Sequence, residues 1–370
     1  MRFFAYIWMF FFMGIPAVLM AVGVSMISTQ QDRLARYLPV PAVIVQSEVR
    51  TSRGSKGSTN YHADIRYEYE INHLKLSATQ LNAAGVTESG HDWAQGLVTA
   101  YPVGMKTTAW YDPDAPEEAF LQRYTAFDPY VFILFPMLFI YIGATAGAMM
   151  LRAGVKVRPP VALPEGGFEL KPQRSIASRL RVALFHTVLW WSVGLAAVGH
   201  YLSVSDAASS GAMILSGIYF AAGLFPLGSL LYFFLLSRTV AEPRVSVDTD
   251  RFRLGEVFHV LIEQPVKMSA KIDALEVTLI CTEHRKTSSG SKTSYTSHRM
   301  HEQKFNVLEK DVEAPTGQPL SGLQKLVIPQ SLPPTSSGNY PYHDWHLSVV
   351  TKITGRPDYR GIFGIQVEPA

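Results

Sequence analysis

The sequence predicts a multi-domain membrane protein: four transmembrane α-helices, a small mostly-β extracytoplasmic domain with one helix, and a C-terminal all-β sandwich. Three observations carry this expectation. Charged residues make up 17% of the 370-residue chain, against roughly 25% in an average soluble domain. The deficit is confined to four long charge-free tracts. The segments between them alternate apolar and polar residues with the period of a β-strand. The net charge of +3 is small and no dense basic patch with interleaved aromatics occurs, so nothing points to nucleic acid. The lone cysteine, Cys281, leaves no partner for an internal disulfide, which suits a bacterial cell-membrane protein better than a secreted disulfide scaffold.

The first tract, 3–31, follows a single basic residue, Arg2. Its apolar core is longer than a signal-peptide core and no small-residue cleavage site follows, so a retained signal-anchor helix is favoured over a cleaved leader. The other tracts lie between Asp128 and Arg152, Arg181 and Asp206, and Asp206 and Arg238. Each matches or exceeds the roughly 20 apolar residues that span a bilayer as a helix. Expected spans are 3–28, 129–151, 182–204 and 211–237, with the proline-bearing positions 16, 136 and 226 able to kink them. Gly143 with Gly147, and Ala17 with Ala21, form small-xxx-small pairs, read as packing among the helices of one chain in preference to a dimer contact. No Asp, Glu, Lys or Arg falls mid-span, and His186 and His200 near opposite ends of the third span read as interfacial side chains.

Orientation follows from loop charge. The connector 152–181 carries Arg152, Lys156, Arg158, Lys171, Arg174, Arg179 and Arg181 against Glu165 and Glu169, whereas the turn at Asp206 has no Lys or Arg. A basic cytoplasmic loop at 152–181 places both termini in the cytoplasm, and residues from about 29 to 127 outside.

Within the outer segment, 61–71 alternates: Tyr61, Ala63, Ile65, Tyr67, Tyr69 and Ile71 on one face, His62, Asp64, Arg66, Glu68 and Glu70 on the other. That is a half-buried antiparallel strand. Asn72-His73 makes a turn into a return strand at 74–78, and 53–59 is a polar hairpin tip. Residues 89–101 form a short helix capped by Ser89, with Trp93, Leu97 and Tyr101 on one face. A last strand, 106–111, ends in the proline-rich turn 112–116.

These residues carry a resemblance. The strand with Val43 and Val45, then Tyr67-x-Tyr69, a short helix, Tyr101-Pro102-x-Gly104, and Tyr111-Asp112-Pro113 closing with Pro116 resemble the bacterial membrane family called domain of unknown function 3592, over about residues 40–123. The resemblance implies a small exposed β domain between transmembrane helices and brings no catalytic residues. The polar face of His62, Asp64, Glu68 and Glu70 could in principle ligate a metal or act as acid and base. Interleaving with Arg66 favours a solvated face.

From 243 to 370, short apolar–polar segments separated by turn signals predict a cytoplasmic β-sandwich. Leu275, Val277, Leu279 and Cys281 point inward; Glu276, Thr278 and Thr282 outward; 285–294 forms a polar hairpin tip. Leu254-Gly255-Glu256-Val257-Phe258, Val277-x-Leu279-x-Cys281-x-Glu283, Ile328-Pro329, Trp345-x-Leu347-x-Val349 and Phe363-x-Ile365-x-Val367 are similar in order to the arrestin-like, immunoglobulin-related sandwich. That resemblance implies a binding or scaffolding module. Cys281, His284, His298 and His301, beside Glu283, offer nitrogen and sulfur donors, but an inward Cys281 reads as a buried thiol. His343 and His346, three apart on a strand, face opposite sides. No catalytic, cofactor or metal residue is assigned. The expected function is a non-enzymatic multi-pass protein that scaffolds, senses or binds protein partners, with the lipid bilayer as its solvent. A transporter or channel accessory subunit remains open, although Thr145, Ser192, Ser216 and Ser229 are few polar residues for a lined path. So does a membrane enzyme, which needs a convergent donor set.

Overall fold

The chain opens as helix because its first tract is a long uncharged apolar run. Helix α1 (Arg2–Met9) passes through a π-helical turn (Phe10–Gly14) into α2 (Ile15–Arg36). Pro16 explains the turn, since it lacks the N–H that residue 12 would need as a regular helical donor. The computed structural model describes residues 2–53, 59–85, 90–151, 157–205, 209–289, 292–308, 312–336 and 340–370. Residues 54–58 and 290–291 of the expected hairpin tips, the capping Ser89, Arg152 and Lys156 of the basic connector, and Asp206 lie outside the described residues.

After α2 come β1 (Leu38–Arg53), β2 (Thr59–Ile71), β3 (Leu74–Ala78), α3 (His91–Ala100), β4 (Lys106–Tyr111) and β5 (Ala119–Phe120). Then follow α4 (Asp128–Leu151), β6 (Val161–Ala162), β7 (Phe168–Leu170), α5 (Ile176–Val204), α6 (Ser210–Ala222) and α7 (Leu224–Thr239). The remainder is β8 (Arg244–Val247), β9 (Phe252–Arg253), β10 (Val257–Pro265), β11 (Ala270–Ser289), β12 (Lys292–Asn306), β13 (Val312–Ala314), β14 (Pro319–Val327), β15 (Tyr342–Ile353), β16 (Tyr359–Ile365) and β17 (Val367–Glu368). Among the described residues four helical stretches are long and apolar enough to cross a membrane: Ala5–Arg36, Asp128–Gly147, Ile176–Val204 and Ser210–Thr239. The fourth is broken between α6 and α7, because Pro226 gives Ala222 no i+4 donor. The first continues as helix to Arg36, eight residues past the expected end at 28.

Two compact units divide the chain, Arg2–Ala148 with Trp190–Ala222, and Met149–Leu189 with Gly223–Ala370. In the first unit an antiparallel sheet runs β3-β2-β1-β4-β5. The alternation of β2 places Ile65, Tyr67 and Tyr69 in its core with Ile44, Ala109 and Leu121, and Trp93 and Leu97 of α3, with Tyr101 just after it, pack against them. Asn72 and His73 both take positive φ, 51° and 64°, the left-handed pair a two-residue hairpin demands. The motif residues have mechanical roles. The Tyr67 hydroxyl donates to the carbonyl oxygens of Gln80 (3.0 Å) and Ala119 (2.7 Å), and that of Tyr69 to Pro116 (2.7 Å). Buried Asp112 accepts the N–H of Asp114 (3.0 Å) and pairs with Arg36 (2.7 Å), locking the turn to the end of α2. Gln30, fully buried, exchanges hydrogen bonds with the backbone of Ala126.

The helices of this unit meet at small residues. A Cβ on Gly143 or Gly147 would collide with Phe12 or Met9, and one on Gly23 would lie 2.9 Å from Phe132. Gly143 and Gly147 are thus filled from within the chain, whereas Ala17 and Ala21 are exposed. Trp190 stacks on Tyr219 at 4.6 Å, and each side chain donates to the other's backbone carbonyl. Nδ1 of His200 lies 2.8 Å from the Tyr130 hydroxyl, and Nδ1 of His186 lies 2.8 Å from the Val182 carbonyl.

In the second unit, sheets β14-β10-β8-β7-β6 and β12-β11-β15-β16 enclose one core, which includes Phe258, Val260, Leu279, Trp345, Leu347 and Phe363. Thr351 donates to Gln264 across this core at 2.9 Å, both side chains fully buried. The stretch 152–181, expected to be a loop, contains β6 and β7 and the first six residues of α5. β7 pairs with β8 (Leu170↔Val245), and Gln173 N–H donates to the Ile362 carbonyl of β16. Leu236 and Val240, at the end of α7, and Ile176, opening α5, join the same core. Glu242 receives the Ile176 N–H (2.7 Å) and the Tyr359 hydroxyl (2.6 Å), capping α5.

Candidate functional site

The richest polar constellation lies where β12, β11 and β15 run side by side. Register brings His284 opposite both Ser297 and Tyr342, and Glu283 opposite both His298 and His343. On one face Nε2 of His284 lies 2.7 Å from Oδ2 of Asp344, Nδ1 of the same ring lies 2.9 Å from Oγ of Ser297, and Tyr342 stacks on it at 4.4 Å. Nδ1 of His346 is 3.6 Å from Oδ1 of Asp344. On the other face Glu283 accepts from Arg285 at 2.5 Å and lies 3.6 Å from His343. His343 and His346 therefore do face opposite sides. The Arg285 hydrogen bond holds the Glu283 carboxylate below the ordinary range, while burial raises the Tyr342 hydroxyl to about 12.

Cys281 is fully buried in the sandwich core, as the inward alternation requires. Burial first, and the charges of Asp344 and Glu283 second, raise its thiol to about 12. A thiol so held is a poor metal ligand and a poor nucleophile. Among the described residues no group of three His, Cys, Asp or Glu side chains is placed to hold a metal ion. Nε2 of His301 is buried with no hydrogen-bond partner, beside Trp345 at 6.2 Å between rings.

Two expectations need correction. Glu276 and Thr278 point away from the core yet are buried, since Lys304 and Lys352 each fold over Glu276 at 2.9 Å. The stretch 285–294 continues as a two-stranded ribbon of β11 and β12 up to Ser289 and from Lys292. The Ser297–His284–Asp344 chain was invisible in sequence, because its members are 13 and 60 residues apart and only strand register joins them. It has the order of a hydroxyl–imidazole–carboxylate relay. It sits on the outer sheet face, with Ser297 exposed and Asp344 buried, and the backbone N–H groups there serve the β-ladder, where acyl transfer calls for free, convergent oxyanion donors.

On β2 of the outer segment, Asp64 accepts from Gln46 and pairs with Arg50, both at 2.8 Å, His62 meets Ser52 at 3.1 Å, and Glu70 lies 3.6 Å from His73. The compensating cation is Arg50 of β1, not Arg66, which makes no ion pair among the described residues. This face is polar, with His62, Asp64 and Glu70 paired and Arg66 and Glu68 exposed.

Against that geometry, residues 40–126 match the family model described as "Domain of unknown function (DUF3592)". No curated protein matches the chain. Among solved structures, Spo0M, a sporulation control protein from Bacillus subtilis, matches at 14% identity with a TM-score of 0.30. That match covers 35% of this chain and 49% of that one, so the chain spans about half of Spo0M.

Proposed function

We propose that the protein is a multi-pass bacterial cell-membrane scaffold or sensor. In this reading the DUF3592-like domain meets envelope partners, and the β-sandwich recruits a protein partner in the cytoplasm. The observation that carries it is the free ribbon of β11 and β12. β12 is the edge of its sheet, and residues 294–300 are exposed on both faces. An edge strand offers unpaired backbone groups to an added strand. Membrane insertion draws support from the four apolar helices, and the pairing of β7 with β8 constrains the topology. Hydrogen-bonded strands share one aqueous compartment, so the chain between them crosses a bilayer an even number of times. Two crossings, by α5 and by α6 with α7, satisfy this. The excess of Lys and Arg in 152–181 supports the cytoplasm as that compartment.

A photo-crosslinking amino acid at Thr296, in the full chain in its native membrane, tests the partner. The expected result is a discrete adduct that Ser294→Pro and His298→Pro weaken, since proline breaks strand pairing. No adduct at any β12 position removes the recruitment role. A second reading, ester hydrolysis at Ser297, is favoured only by the Ser297–His284–Asp344 chain. It predicts fluorophosphonate labelling lost in Ser297→Ala, and an unlabelled wild-type protein ends it.

A further inference from the structure

A cavity of about 480 Å³ opens at the base of the sandwich, where α5 begins and β8 starts. Four cationic side chains reach it from three separate segments: Arg158 ahead of β6, Lys171 and Arg174 on the link from β7 to α5, and Arg244 at the start of β8. Two carboxylates share the lining, Glu169 and Glu242. Glu169 is taken by Lys171 at 2.6 Å, and both oxygens of Glu242 are occupied by the Ile176 N–H and the Tyr359 hydroxyl. Arg244 pairs with Glu165 and, at 3.8 Å, with Glu263, both outside the lining. Arg158 has no ion pair among the described residues. Gln173, also in the wall, has a side-chain amide nitrogen that is buried and donates to nothing. Gathering like charges around a cavity costs folding energy unless an anion completes the set.

The position narrows the anion. Arg179 and Arg181 lie in the first turns of α5 and Arg238 in the last turn of α7, so the cavity sits where these two helices change from charged to apolar. Cations at that level snorkel to phosphate headgroups, and basic pockets at the cytoplasmic ends of membrane helices suit lipid phosphates. We propose that this cavity binds a phosphate group, that of an anionic phospholipid of the adjoining leaflet. The source of the phosphate rests on the membrane reading above.

The test uses the full chain in lipid nanodiscs, with a fluorescent phosphatidylglycerol as probe in a phosphatidylcholine background. Arg158 and Arg174 are exposed, so Arg158→Gln with Arg174→Gln leaves the fold intact, which an unchanged melting curve checks. Saturable binding is expected in the wild type, weakened at least tenfold in the double variant. The distant Arg360→Gln should leave it unchanged. Equal binding by wild type and double variant overturns the site. Displacement of the probe by inorganic phosphate at matching concentration overturns the lipid source and assigns a free phosphate ligand. Failure to enter phosphatidylcholine discs at all overturns the membrane reading instead, which keeps the two failures apart.

Discussion

At the scale of single residues, burial decides reactivity. With its thiol raised to about 12 by burial, Cys281 carries a negligible thiolate fraction at pH 8. Maleimide should therefore leave the folded protein unmodified and label it only after denaturation, as mass spectrometry would read. Glu276 behaves in the opposite sense. Burial alone would raise its carboxyl, but hydrogen bonds from Lys352 and Lys304 outweigh this and hold it below its ordinary 4.5. A depressed carboxylate stabilises the fold above the unfolded-state value and loses that contribution as pH falls through the folded one. Glu276→Gln should thus lower thermal stability at pH 7, and the difference from wild type should shrink below about pH 4. Individual positions were legible in the sequence wherever period alone fixes the face: Tyr67, Tyr69 and Cys281 stand where alternation put them. Those that depend on a partner from a distant strand were not. The pairing of Asp64 with Arg50, the covering of Glu276, and the link from Ser297 to Asp344 all need register.

Elements show the same division. The long apolar helices were legible because uncharged apolar runs of this length satisfy their adjacent backbone groups internally only as helix, and the breaks at Pro16 and Pro226 follow from a missing donor. β6 and β7 were not legible, being two and three residues long, too short to show a period. Small-residue pairs in the helices separate by what fills them. Gly143→Leu must displace Phe12, and overpacking of this kind costs typically 1–3 kcal/mol. Ala17→Leu enters open space beside an exposed face. Thermal melts in detergent should fall clearly for the first and change little for the second. A reversed order would mean that Ala17 and Ala21 carry the contact.

Across the whole molecule, the orientation proposal makes one sharp prediction. In a Cys281→Ser background, a cysteine at His73 should react with an impermeant maleimide added to intact cells, and one at Tyr295 only after permeabilisation. The opposite pattern would invert the topology. The division into long apolar helices and β-rich segments was legible from charge distribution and hydrophobic period alone, since neither needs tertiary information. What was not legible is that the sandwich draws strands from both sides of a helical excursion. β7 precedes α5 and β8 follows α7, yet the two are neighbours in one sheet. A gene fragment beginning at residue 243, the natural cut for soluble expression, would strip β8 of β7, one of its two neighbours, and remove the Ile176 end of the core. The product would carry a raw, template-like rim prone to oligomerise, whereas stitching 157–175 to 243–370 through a short glycine-serine bridge would restore the missing border.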